Sequence, residues 1–306
     1  MRRNVALIVF GIGVVLLIAG FAKLLPGFIP AGGMVALVGA LLFGLSFVLQ
    51  PEVAPDGPPP LSPFERIAGM FYEPTRVFQS LRAHPRWLAA LLIVALLNII
   101  YTEAFTRRLT PERIVGHTTE KLKDSGWVSE EQIDKMRAQQ IADAKSPINR
   151  IGGAISQAAG VMLLMSFLAG LYLLGVLMFG GRLNFWQALA ALVHAAVPVA
   201  VISKLLSLVL LYVKAPEDIH PILGQSSLLQ DNLGVLFSPA EHPVLFVLAS
   251  AIGVLSFYGL WLTAKGLHHT GTRVSSSAAW GTTLTIWVLA ILLGAGMTAL
   301  FPTFIS

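Results

Sequence analysis

Five polar side chains stand inside long apolar stretches of this sequence: Asn98, Glu103, Gln157, His194 and Lys204. In hydrocarbon each costs free energy unless it is paired or wetted. Such residues therefore either bind helices to one another or line a path for a proton, ion or solute. His194 and Lys204 make the second reading concrete. Pro198 removes the amide that the His194 carbonyl would accept from, so a kink is expected there. A kink beside an imidazole, with an amine further along, suits a transport site. The packing reading has its own support. Gln157 and Glu103 lie near the ends of their stretches, and Lys204 has a stem long enough to carry its charge toward the nearer surface.

Other chemistry finds little to work with. The sequence has no HExxH, no GxSxG and no P-loop, so no catalytic residue is assigned and the expected role is non-enzymatic. His268 and His269 are adjacent and diverge by about 100° on a helix, a poor arrangement for a shared metal. No metal or cofactor is expected. The absence of cysteine removes disulfides, thiolate ligands and a thiol nucleophile together. No more than two Lys or Arg are adjacent, which argues against a nucleic-acid surface.

The elements that must carry the five residues follow from composition. Of 306 residues, 55% are hydrophobic and 12% charged, and the mean hydropathy is +0.74. A soluble fold cannot cover its core with so little polar surface. Seven apolar runs are each long enough to cross about 30 Å of hydrocarbon: 4–25, 31–49, 87–106, 151–180, 185–213, 243–266 and 277–303. The fold class is an all-α polytopic transmembrane bundle. Its expected partners are the lipid bilayer and, through small-residue helix faces, a second copy or other membrane proteins; any small-molecule ligand is unspecified.

Residues 1–50 read as a transmembrane hairpin turning at Pro26–Pro30. The basic start and the small residues Ala19–Ala22 would also suit a cleaved leader, although a leader's apolar core is shorter. Gly32, Ala36, Ala40 and Gly44 recur every four residues and predict a close helix contact. Residues 51–63 are a proline-rich linker. Residues 64–86 form two short amphipathic helices at the membrane surface, with Phe64, Ile67 and Phe71 on one face, Val77, Phe78 and Leu81 on another, and arginines including Arg66 on the remaining sides. Residues 107–150 predict an extramembrane helical hairpin. Thr110 and Pro111 open its first helix and Gly126 stops it; Ser129 and Gln132 form a capping box on the second, with a Val128–Ile133 staple. Its own caps and stops mark it as able to form locally. Residues 214–242 are a loop with a short helix near Ser226–Leu236.

Alternating spans sort the loops into two sides. Residues 1–3, 50–86, 181–184 and 265–276 carry nine Lys or Arg; the other side carries Lys23, Lys214 and nine in the helical hairpin. Without the hairpin the count is nine against two. This places the amino terminus inside and the carboxyl terminus outside, although Arg107 and Arg108 pull the other way.

Three segments resemble a known family: FYEPTRVFQSLRAHPRWLAALLI (71–93), MFGGRLNFWQALAALVHAAVPVAV (178–201) and FYGLWLTAKGLHHTGTRVSSSAAW (257–280). They are similar, in order and spacing, to the entry and two turns of the Yip domain of the Ypt/Rab-interacting membrane proteins and their bacterial relatives. The resemblance implies a five-span unit over 64–306 with a cytosolic amino end. The hairpin of residues 1–50 is extra, and the long cytosolic tail of the eukaryotic members is absent. A vesicle-transport role is therefore not implied. The chain looks more like the bacterial members, which implies a multi-pass protein of the bacterial cytoplasmic (inner) membrane. The leading expectation is a membrane-organising or interaction protein; the alternative is a transporter or channel with its polar site on spans three to five.

Overall fold

The computed structural model describes residues 2–48, 60–124 and 129–301. Among these residues there are twelve α-helices. The first six are α1 (Arg2–Phe21), α2 (Phe28–Leu45), α3 (Pro63–Tyr72), α4 (Pro74–Ala83), α5 (Leu88–Leu109) and α6 (Pro111–Asp124). Then come α7 (Glu130–Lys145), α8 (Pro147–Met178), α9 (Phe185–Val213), α10 (Pro243–Ser250), α11 (Val254–Thr270) and α12 (Ser276–Leu300). Six of them, α1, α2, α5, α8, α9 and α12, are long and apolar enough to span a membrane. The chain divides into two compact units, and α5, α8 and α9 contribute to both.

The first unit comprises Met1–Leu49, Asn98–Leu164 and Ser207–Leu228. In it α1 and α2 pack almost backbone to backbone. A Cβ on Gly13 would stand 2.2 Å from the Ala36 amide nitrogen, one on Gly32 2.4 Å from that of Leu17, and one on Gly39 2.4 Å from that of Phe10. The contact stripe is thus Gly32–Ala36–Gly39. The expected four-residue repeat holds for its first two members only: Ala40 is exposed, and a Cβ on Gly44 would have nothing within 4 Å among the described residues. The reason is geometric, since a helix turning every 3.6 residues carries a strict four-residue repeat off the contact face. Elsewhere in the unit, Tyr101, Phe105, Leu109, Leu211, Ile219 and Leu228 form a buried cluster. The Tyr101 hydroxyl donates to the Gly224 carbonyl at 2.6 Å.

The helical hairpin forms as α6 and α7, with differences in its caps. Thr110 takes a left-handed backbone, φ 66°, while its carbonyl accepts the first-turn bond from Ile114 at 3.3 Å. Ser129 donates its hydroxyl to Gln132 Oε1 at 3.1 Å and accepts no helix amide, so the expected capping box is not made. Gly126 and Val128 lie outside the described residues. Nor is the hairpin self-contained. Arg113 of α6 donates to the carbonyls of Pro216, Glu217 and Ile219, and the His117 and His220 rings meet edge-on at 5.0 Å. The run expected over 151–180 starts at Pro147 and is helical for 32 residues.

The second unit comprises Gln50–Leu97, Met165–Leu206 and Leu229–Ser306. The linker expected over 51–63 falls mostly outside the described residues, but its end is well defined. The Ser62 hydroxyl accepts from the Glu65 amide and the Glu65 carboxylate accepts from the Ser62 amide, a complete capping box with Pro63 at the first helical position. Those bonds hold the Glu65 carboxyl below its ordinary range. Across α4, Val77, Phe78 and Leu81 are buried with Met70 of α3, Ala190, Ala191 and Ala195 of α9 and Leu262 of α11. Trp87 and Trp186 stack at 6.5 Å.

The span expected over 243–266 is discontinuous. It is α10 and α11, broken at Ala251–Gly253, where Gly253 is extended. The exposed backbone is satisfied from a segment about twenty residues earlier. Asn232 and Gly253 form a β-bridge, Leu233 N–H donates to the Ile252 carbonyl at 3.0 Å, and Val254 N–H donates to that of Asp231 at 3.1 Å. The Asp231 carboxylate accepts from the Leu255 amide at 2.7 Å and so caps α11. The short helix expected near Ser226–Leu236 is a single 3-10 turn, Leu233–Leu236.

Candidate functional site

The five polar residues fall three in the first unit and two in the second. Glu103 and Gln157 belong to a seam between α5 and α8. The Gln157 amide donates to Thr102 Oγ1 at 3.0 Å. The Glu103 carboxylate accepts from Arg107 Nε at 2.6 Å and from Arg150 Nε at 3.2 Å, and Arg150 Nη2 also pairs with it. Asn98 lies one turn before Thr102 and is half-buried. The charges in this seam satisfy one another, and two are contributed by residues at span ends, Arg107 and Arg150. Charge at span three was legible in the sequence; its partner Arg150, 47 residues away, was not.

In the second unit, His194 is fully buried and its Nδ1 donates to the Ala190 carbonyl at 2.8 Å, one turn back on α9. Because a carbonyl only accepts, Nδ1 carries the hydrogen in this contact. Lys204 lines a cleft of about 470 Å³ between α8, α9, α11 and α12. Tyr172, Ser203, Ser256 and Thr263 share that lining with mostly apolar neighbours; Ala195 reaches it, but His194 does not. The structure therefore separates the two residues that would form one site.

One charge escaped sequence reasoning altogether. Arg66 is only 3% exposed, and its Nη1 is buried with no hydrogen-bond partner among the described residues. Burial pushes the guanidinium pKa down, and the Arg86 charge adds to the effect. Arg66 also acts electrostatically on His194. Helical periodicity grouped Arg66 with the surface arginines. Its spacing from Met70 was the available signal, because residues four apart share a face and Met70 is in the core.

The consequence for α3 is clear. Its protein-facing side is Arg66, Gly69 and Met70. Its other side presents Phe64 at 80%, Phe71 at 45% and Tyr72 at 68% exposure. Helix α4 fixes this aromatic face in place, since Phe78 packs against Gly266 of α11, where an added Cβ would meet the Phe78 ring at 3.0 Å.

The loops that alternation assigns to the same side also touch. Arg82 donates to the Gly271 carbonyl, Gln187 to that of Arg82 at 2.8 Å, and the Thr272 amide to that of Arg182 at 3.0 Å. On the other side, a Cβ on Gly27 would fall on the Asn149 side chain, and Arg113 holds the 216–219 loop.

The Yip1 domain matches residues 68–297, three-quarters of the chain. The protein is thus a polytopic, all-α membrane protein that belongs to the Yip1 domain family. No curated protein and no solved structure matches it.

Proposed function

With membership of the Yip1 domain family as the premise, we propose that this protein organises the membrane mechanically, without catalysis, by seating the α3–α4 pair in one leaflet. The observation that carries this reading is the exposed aromatic face of α3, Phe64, Phe71 and Tyr72, on a helix whose opposite side is docked to the bundle. A short amphipathic helix of this kind inserts its apolar side about 5–10 Å into the headgroup and acyl boundary. Here it is tethered by Val77, Phe78 and Leu81, so the inserted volume stays with the spans. In this reading the platform lies on the inner face of the cytoplasmic membrane, with the carboxyl terminus outside, which the Lys and Arg count outside the helical hairpin supports. Close small-residue contacts such as Gly175 against Thr282 support a role in which helices pack with one another rather than open around a solute.

Reconstitution into phosphatidylcholine liposomes tests this. The protein should reduce vesicle diameter by electron cryomicroscopy, and Phe64→Asp with Phe71→Asp should restore the diameter of protein-free vesicles. Unchanged diameters in the presence of the native protein refute the reading.

One observation favours a transporter: the cleft that reaches Lys204. It predicts a solute or proton leak in proteoliposomes that Lys204→Met abolishes. Proteoliposomes that hold a pH gradient as tightly as empty ones exclude it for protons.

A further inference from the structure

Residues 74–102 and 242–306 contain no Asp or Glu. Within this acid-free part of the second unit is a cleft of about 450 Å³, distinct from the one that reaches Lys204. Arg82 of α4 lines it, with His268 and His269 of the last turn of α11 and Thr272, Arg273 and Ser275 of the connector to α12. Four side chains that are or can become cationic converge there from two segments far apart in sequence, and no carboxylate is in the lining.

Two of these groups are held in position. Arg82 donates from Nε and Nη2 to the one carbonyl of Gly271. That contact fixes the guanidinium plane and leaves most of its five N–H donors for another acceptor. His268 donates Nδ1–H to the Val274 carbonyl at 2.6 Å, which leaves Nε2 as its second site. The His268 and His269 rings lie 4.6 Å apart, with Lys265 one turn before His269 and stacked over Trp261 at 4.7 Å. Such an array repels itself and is relieved by an anion.

We propose that this cleft binds a phosphate group, supplied either as a lipid headgroup or as free phosphate. A fixed guanidinium fork matches phosphate oxygens. The imidazoles and the Thr272 and Ser275 hydroxyls add donors around it. Retention of positive charge on one membrane face accounts for how many basic residues are present. It does not account for their convergence in one concavity with no acid among them.

The test uses the full chain in phosphatidylcholine nanodiscs, titrated with inorganic phosphate by calorimetry. In parallel, native mass spectrometry counts phosphatidic acid retained from a mixture with phosphatidylcholine. Arg273→Gln removes an exposed charge from the lining, and Arg82→Gln removes the anchored one. Arg76→Gln is the control, because Arg76 pairs with Glu73 on an exposed face outside the cleft. The expected result is about a tenfold loss for Arg273→Gln, the size of one charge-assisted hydrogen bond, and none for Arg76→Gln. A loss in both the calorimetric and lipid arms identifies a site open to free phosphate; a loss in the lipid arm alone identifies a headgroup site. Equal losses for Arg273→Gln and Arg76→Gln, or no binding in either arm, overturn the proposal.

Discussion

The hairpin α1–α2 and the platform α3–α4 each hold two helices together, by opposite means. In α1–α2 the contact is made by what is missing: Gly13, Gly32 and Gly39 let backbone meet backbone. In α3–α4 it is made by what is large: Met70, Val77, Phe78 and Leu81 are packed out of contact with solvent. The difference follows from the solvent. Between helices in lipid, burying a leucine gains little, because the lipid tails are as apolar as the side chain. Close van der Waals approach must then supply the attraction. In the proposed reading α3–α4 lies at the interface, where water is still present, and each square ångström of apolar surface removed from it stabilises by about 25 cal/mol. The same sequence therefore joins α1 to α2 through small residues and α3 to α4 through large ones.

Substitutions in the two regions should separate these mechanisms. The largest effect is expected at the platform: Phe78→Ala leaves a cavity against Gly266 and should cost about 3–5 kcal/mol, read as thermal unfolding in detergent and as faster proteolysis within 60–86. A loss below about 1 kcal/mol would mean that the platform is held by something other than burial. In the hairpin, Gly39→Leu should force α1 and α2 apart. Overpacking of this kind costs about 1–3 kcal/mol. Because the chain has no cysteine, a Cys pair introduced across α1 and α2 reports the separation as a lost crosslink. Survival of the crosslink would break the comparison.

Two polar contacts sharpen it. Arg113→Ala removes three bonds to carbonyls of the 216–219 loop and should cost about 1.5 kcal/mol, seen as faster amide exchange over 214–220. Gln157→Leu removes a bond to Thr102 inside a span. It should cost only about 0.6 kcal/mol, because the separated groups find other partners in the membrane. A larger loss for Gln157→Leu than for Arg113→Ala would reverse the expected order.

Much of this architecture was legible in the sequence because hydrocarbon imposes length and composition directly. Six of the seven runs appear as helices long enough to cross, and Pro111 opens the helix it was expected to open. The seventh run was misread because its break depends on the Asp231–Leu233 segment. No local pattern around Gly253 announces a β-bridge to residues twenty positions earlier. The five polar residues were found individually, since polarity in an apolar run is a local signal. Their partners were not: Arg150 comes to Glu103 from the start of α8, and the cleft at Lys204 is built by four helices. Arg66 was missed for a related reason. Periodicity identifies faces but does not say which one docks, and on α3 the aromatic face is the exposed one.

That exposed face is the claim on which the functional account turns, and its depth in a bilayer can be measured. Phe64→Cys introduces the chain's only thiol, and a nitroxide attached there reports its position by its accessibility to oxygen and to a water-soluble relaxing agent. In phosphatidylcholine bilayers the account predicts a label about 5–10 Å below the headgroup level, high in oxygen and shielded from the aqueous agent. A label equally open to the aqueous agent as one placed at Asp134, an exposed position on α7, would contradict it.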